Sequence, residues 1–186
     1  MKDEPVDIFN ERGDKTGQVL TKSEAHDKGL WHPIVHLWIY NSKGEVLMQK
    51  RAPQKKVWPN LWDVAVGGHL AAGEAPEDAA IKEAGEELGI KVERQQLQFI
   101  DQSKYEHEME GNWMNRIFIW SYLTKMDIDI SKLTLEKEEV SEAKWIEVEE
   151  LEKILNNSDE ARNFSPDIKH DSQIAITEIR KALKNE

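Results

Sequence analysis

At 186 residues, 39% hydrophobic and 33% charged, the chain is long enough for one domain with a sizeable core and too apolar to be disordered. Its net charge of −11 at pH 7 denies it the basic surface that a general nucleic-acid binder needs, and its apolar runs fall short of a membrane span. The absence of cysteine excludes disulfides, thiolate nucleophiles and cysteine-ligated zinc.

The acidic start has no apolar export core, so a cytoplasmic chain is expected, with residues 1–186 as a single domain. Residues 6–10 and 19–21 flank a turn at 13–17 and read as a hairpin. Residues 24–30 read as an irregular or short helical link, closed by Trp31-His32-Pro33. Residues 34–40 are rich in β-formers. A turn at Asn41-Ser42-Lys43-Gly44 leads into a partner strand at 45–51. A Pro-punctuated loop at 52–61 precedes a short strand at 62–66, and 67–73 reads as a glycine-containing loop. That loop opens a helix at Pro76, a residue suited to a first helical position. The helix runs to Leu88, where Gly89 and Ile90 form a C-terminal cap. Strands follow at 97–103 and 116–124, joined by a polar loop, then a strand at 142–148 and helices at 149–156 and 167–184. Strands and helices mix without strict alternation, which predicts an α/β layered fold around a mixed sheet.

The chemistry is carried by residues 67–90. Glu83, Glu86 and Glu87 stand at i, i+3 and i+4, on one helix face. Such carboxylates repel one another unless a cation sits among them. Ala80, Ala84 and Leu88 give the helix a separate apolar stripe, and the glycine loop lets Glu74 fold back toward the cluster. The donors are all oxygen, which suits Mg²⁺, with Mn²⁺ as the alternative. Three glutamates alone would read as a solvated face of an acidic protein; the spacing of the whole segment changes that.

Gly68, Glu74, Glu83, Glu86, Glu87, Gly89 and Ile90 resemble the Nudix box, G-x5-E-x7-R-E-U-x-E-E-x-G-U with U aliphatic. Lys82 stands where the family has Arg, and Ala84 is a small choice for the aliphatic position. The resemblance implies the Nudix fold, an α/β/α sandwich around a mixed sheet, and metal-dependent cleavage of a diphosphate linked to a group X. It makes Glu83, Glu86 and Glu87 the candidate metal ligands, with Glu83 and Glu86 catalytic. It gives Lys82 the orienting role of the family's Arg, with the charge kept and the bidentate fork lost.

A second resemblance covers most of the chain. Trp38, Gly44, Lys50-Arg51-Ala52, Lys55-Lys56, Trp58-Pro59, Trp62, Gly68-His69 and Phe164-Ser165-Pro166 are similar to the isopentenyl-diphosphate isomerase branch of the Nudix superfamily. Those isomerases use a cysteine where this chain has Gly67, and they tend to lose the glutamates at the Glu83 and Glu86 positions. They hold a metal with three histidines and two glutamates. His26, His32 and His69 match the histidines, the first with its spacing off by one, but 114–116 offers no acidic residue. The comparison implies hydrolysis rather than isomerisation. The histidines read first as separately satisfied polar groups, and second as a residual metal site.

Arg51 and Lys55, with Lys56 and the glycine at Gly68, are candidates for holding the distal phosphate; the alternative for the basic residues is a flexible loop balancing the acidic box. Glu136, Glu138 and Glu139 could supply a second base, against a solvated charged loop as the favoured reading. Trp58 and Trp62 read as packing, and Trp113 as packing or stacking. The expected partner is a small phosphorylated substrate, selected by 106–115, 133–140 and the N-terminal segment. Oligomeric state stays open, a dimer being allowed. Two rival functions remain: an isomerase-like enzyme, and a non-catalytic nucleotide-binding module, which Lys82 keeps in view.

Overall fold

The structure, a computed structural model, describes residues 3–109, 111 and 113–185. Glu110 and Asn112, inside the expected selectivity segment 106–115, lie outside the described residues. In chain order the strands are β1 (Pro5–Phe9), β2 (Lys15–Thr21), β3 (His32–Tyr40), β4 (Glu45–Arg51), β5 (Trp62–Val64), β6 (Val66–His69), β7 (Gln98–Met109), β8 (Trp113–Lys125) and β9 (Val140–Glu147). The α-helices are α1 (Lys22–Asp27), α2 (Pro76–Leu88), α3 (Val148–Asn156) and α4 (Ile168–Lys184).

The sheet is built around β3, whose side chains are buried along its whole length. It pairs in parallel with β8, from His32↔Ile117 to Tyr40↔Lys125. It pairs antiparallel with β6, from Ile34↔His69 to Leu37↔Val66. The Asn41 turn folds β4 back, its side-chain oxygen accepting from the backbone N–H groups of Lys43 and Glu45. β4 then leaves β3 to pair with β5 and β9. The mixed sheet has the two-sided burial that a parallel pair requires.

The period-two pleat sends alternate side chains of β3 to opposite layers. Val35, Leu37 and Ile39 pack with Ala80, Ala84 and Leu88, the apolar stripe of α2. Trp38 and Tyr40 pack with Leu151 of α3 and Ile168, Ile176 and Ile179 of α4. Helices therefore cover both faces, the α/β/α layering expected from the sequence. Among the described residues no helix is long and apolar enough to cross a membrane.

Two expectations are corrected. Residues 62–66 are not one strand followed by a glycine loop: Gly67 and Gly68 lie inside β6, opposite His36 and Val35. The polar loop between the next strands is the body of a long hairpin, with β7 and β8 paired out to Met109↔Trp113. Exposed Glu106 and Glu108 alternate with half-buried Tyr105, His107 and Met109. That period of two is a strand signal in spite of its polarity.

A buried polar joint ties α4 to the sheet. Asp171 Oδ2 accepts from His36 Nδ1 at 3.1 Å and from Trp38 Nε1 at 3.0 Å, and from Ser121 Oγ. Burial opposes a charge on His36, but the Asp171 carboxylate outweighs it and pushes the imidazole up to about 9. The folded value lies above the ordinary one near 6.5, so the pair's stabilisation is complete below about pH 6.5 and is lost as pH rises through about 9. Asp171→Leu leaves that imidazole buried without its carboxylate. Urea unfolding at pH 7 is expected to show a loss of about 3–5 kcal/mol; a loss below about 1 kcal/mol would mean the joint is not a structural anchor.

Candidate active site

Helix α2 starts at Pro76 and ends at Gly89, whose φ of +68° closes the helix with backbone bonds to Ala84 and Gly85. With Ala80, Ala84 and Leu88 against β3, the neighbouring helix edge carries Glu83 and Glu87 to the strand ends. Glu87 is 5% exposed; its Oε2 accepts from Gln49 Nε2 at 3.1 Å and from the Gly67 N–H at 3.3 Å. Gly68 explains itself by contact. A Cβ there would lie 2.4 Å from both Cγ and Cδ of Glu83. Glycine leaves the room in which the Glu83 carboxylate arm lies against the β6 backbone; any side chain there would displace that arm.

The electrostatics follow from this crowding. Burial pushes the Glu83 carboxyl up to about 7, Lys82 beside it pulls the other way, and Glu86 adds to the rise. Burial and then the Glu83 charge push Glu87 up to about 8. Lys82 Nζ lies 3.2 Å from Glu4 Oε2 and 3.4 Å from Glu83 Oε1, so it bridges the N-terminal segment to the cluster. Glu74 departs from expectation. Its Oε2 accepts from the Ala71 N–H at 2.8 Å, which locks the turn before α2, and it does not line the cavity that the other box glutamates share.

That cavity has a volume of about 720 Å³. Glu83, Glu86 and Glu87 line it together with Lys22, Arg51, Lys55 and Lys56. Arg51 is not on a loose basic loop: its Nη1 donates to Asp63 at 2.8 Å and its Nε to the Val57 carbonyl at 3.0 Å. Lys55 pairs with Glu139. Glu136, Glu138 and Glu139 all border the cavity; Glu136 and Glu138 are exposed, as a solvated loop predicts, and Glu139 departs from that reading by being half-buried against Lys55. The reason is the far end of α2, where the Leu88 and Glu87 carbonyls accept from the Thr134 and Glu136 N–H groups and draw this loop in. Lys22 was not read from the sequence. Its signal was the capping box Thr21-x-x-Glu24, which starts α1 and so puts Lys22 at the first helical position.

The three histidines are corrected as well. They do not pack separately: one ring nitrogen from each of His26, His32 and His69 lies within 4.8 Å of the others. His26 and His69 meet Nε2 to Nε2 at 3.1 Å, and His32 Nδ1 is 2.8 Å from the Leu30 carbonyl. His26 Nδ1 and His32 Nε2 are buried without partners. Burial holds all three below the ordinary range, His26 to about 2, His32 to about 4 and His69 well below. They stay neutral, as metal-ligating imidazoles must. Trp62 packs with Phe164 and the α3–α4 layer, as expected. Trp58 instead lines the cavity, at a φ of +50° that bulky residues rarely adopt. Trp113 lies edge-on to His26 at 5.6 Å.

Comparison with known proteins agrees with this geometry. The NUDIX domain family model matches residues 30–168. An uncharacterized Nudix hydrolase of Listeria monocytogenes is 34% identical over 156 residues, covering 84% of this chain and 87% of that protein. An isopentenyl-diphosphate Delta-isomerase of Escherichia coli is 40% identical over only 93 residues, 50% of each chain. A Deinococcus radiodurans crystal structure superposes with a TM-score of 0.69 over 92% of this chain and 99% of that one; at 24% identity it speaks to the fold alone.

The raised carboxyls give a pH prediction. Folded Glu83 and Glu87 keep protons that the unfolded chain releases near pH 4.5, so stability falls as pH rises toward 7 and 8. Below about pH 6.5 the neutral histidines work in the opposite sense, and above it His36 adds to the same fall, so the Mg²⁺ dependence is what isolates the carboxyls. Metal-free protein is expected to melt at progressively lower temperature from about pH 6.5 to 8.5. Mg²⁺ is expected to raise the melting temperature more at the upper end than at the lower. An equal Mg²⁺ effect at both ends would contradict the cluster as the cation site.

Proposed function

We propose that this chain, which belongs to the Nudix family and is one of its pyrophosphohydrolases, cleaves the diphosphate of a small organic diphosphate with the help of Mg²⁺. Nudix hydrolases generally use divalent metals. The observation that carries this reading is the face of α2 laid against Gly67 and Gly68. It brings Glu83, Glu86 and Glu87 to a cavity whose other lining includes Lys22, Arg51 and Lys55. The donor set fits a hard cation: all oxygens, two of the carboxyls pushed toward protonation by burial and then by a neighbouring carboxylate. Glu83, Glu86 and Glu87 would hold the ion by closing on it, since among the described residues only the histidines already bring three ligand atoms within 4.8 Å of one another. When bound, it supplies neutralisation of the phosphate oxygens and a more acidic water.

The chain's own residues do the rest. Arg51, fixed by Asp63, and Lys55 hold phosphate oxygens, and fixing the diphosphate is most of the catalysis in such displacements. Glu83, which the bound cation would keep unprotonated, is the first candidate to accept the proton of the attacking water. Glu139, with Oε1 buried and unpartnered, is the second candidate for that proton. Lys82 steers Glu83 by a single ion pair where the family's Arg would offer a fork. Isomerisation is disfavoured because Gly67 leaves the thiol's place without a proton-transfer group. A cysteine-free chain suits a cytoplasmic location.

A second cation site has its own support in the clustered, neutral imidazoles of His26, His32 and His69, with His26 Nδ1 and His32 Nε2 buried without partners. Their donor set favours a borderline transition metal over Mg²⁺.

Glu86→Gln and Glu87→Gln are each expected to cut Mg²⁺-dependent phosphate release from nucleoside diphosphate derivatives by about 100-fold or more while the fold stays intact. Retention of wild-type turnover by either variant would overturn the metal assignment. Ligand-induced stabilisation of the wild type without any product would favour the non-catalytic binding module.

A further inference from the structure

The cavity continues past the carboxylates to a floor on the α4 side of the sheet, where Ile34, His36, Trp58, Asn115, Ile117 and Asp167 line it. Two of these carry polar atoms that the fold leaves without partners: the Oδ1 of Asn115, a residue only 2% exposed, and the Nε1 of Trp58. Both lie beside His107. His107 is the cross-strand partner of Asn115 in the β7–β8 hairpin, and the Trp58 ring lies edge-on to His107 at 4.9 Å.

An asparagine in the interior of a long strand, between Trp113 and Ile117 on the same face, is a poor choice for packing. Leaving its carbonyl buried and unmet is costly, and the same holds for the indole N–H. One orphan is an acceptor and the other a donor. A ligand that brings a donor to the one and an acceptor to the other satisfies both, and hydroxyls can play either part. Asp167 adds a carboxylate at the same floor, one of its oxygens already accepting from the Ile168 N–H at the start of α4. His36, with Nδ1 committed to Asp171, completes the polar rim. Ile34 and Ile117 form the apolar wall against which a carbon skeleton rests.

We propose that Asn115 and Trp58 form a specificity subsite that takes a hydroxylated group X, of the sugar class, and rejects a hydrocarbon X. The proposal rests on the hydrolase reading for its substrate frame. The physical basis is asymmetric. A hydroxylated X gives Asn115 and Trp58 the partners that the fold leaves them without. A hydrocarbon X leaves both buried groups unmet, and sites built to hydrogen-bond a ligand discriminate strongly on that ground. Two unmet groups together are expected to separate the classes by about 100-fold or more in kcat/KM.

The test uses the full chain with Mg²⁺ and three five-carbon diphosphate monoesters: ribose 5-diphosphate, n-pentyl diphosphate and isopentenyl diphosphate. Wild type is expected to prefer the ribose compound by about 100-fold over both hydrocarbons. Asn115→Leu, close in volume, and Trp58→Phe, which keeps an aromatic ring and removes the N–H, should each shrink that preference about 10-fold, mainly by slowing the ribose compound. A wild-type preference for either hydrocarbon overturns the proposal, as does an equal loss on all three substrates in both variants. If no compound is cleaved, the hydrolase reading fails and the subsite is judged by binding. Ribose 5-diphosphate must then raise the wild-type melting temperature more than n-pentyl diphosphate does, and Asn115→Leu must erase the difference; equal shifts in wild type overturn the subsite.

Discussion

The structure depends on a repulsion that it does not itself resolve. Three carboxylates share the end of one helix face, and two of them are pressed into low-dielectric surroundings beside the strand backbone. Nothing in protein folding favours that arrangement; each buried carboxyl is pushed toward its protonated form by desolvation and by its neighbour. The fold nonetheless commits a glycine to it. Gly68 gives up a side chain so that Glu83 can lie against β6, and Gln49 and the Gly67 N–H orient Glu87. Strain accepted at one place and supported by surrounding residues is characteristic of a functional site.

The support extends well beyond α2. The loop at 134–140 is hung from the last carbonyls of that helix, which brings Glu139 to Lys55. Arg51 is clamped by Asp63, which in turn accepts from Ser165 at 2.8 Å, so the Phe164-Ser165-Pro166 segment braces the basic side of the cavity. Asp171 then ties α4 to β3 through His36. Two buried polar groups, Ser165–Asp63–Arg51 and His36–Asp171, thus fix the basic side of the cavity and the seat of α4. Rigid placement of charge, rather than a mobile basic loop, is what these contacts provide.

The sequence made the layering and the α2 segment readable because both depend on short-range periodicity. The stripe Ala80, Ala84, Leu88 and the cap Gly89 are local signals, and the spacing of Glu83, Glu86 and Glu87 fixes their common face. What escaped reading depends on long-range pairing. Gly67 and Gly68 looked like a loop because glycine is a turn signal; only the partnership with β3 makes them strand. Asp63 and Asn115 carried no motif and Lys22 only the capping box that starts its helix, and their place at the cavity comes from elements far apart in the chain. Glu74 misled for a converse reason: it belongs to the box pattern, yet its carboxylate serves the turn at Ala71. The histidines were judged singly, and their meeting required α1, β3 and β6 to converge.

The most direct measurement of the central claim is calorimetric titration of metal-free protein with Mg²⁺ at pH 7.5 in buffers of different ionisation enthalpy, which counts the protons released on binding. The carboxylate cluster predicts saturable binding accompanied by net proton release, reduced in Glu87→Gln, because the cation displaces protons held by Glu83 and Glu87. Binding with no proton release, or release unchanged in Glu87→Gln, would contradict it.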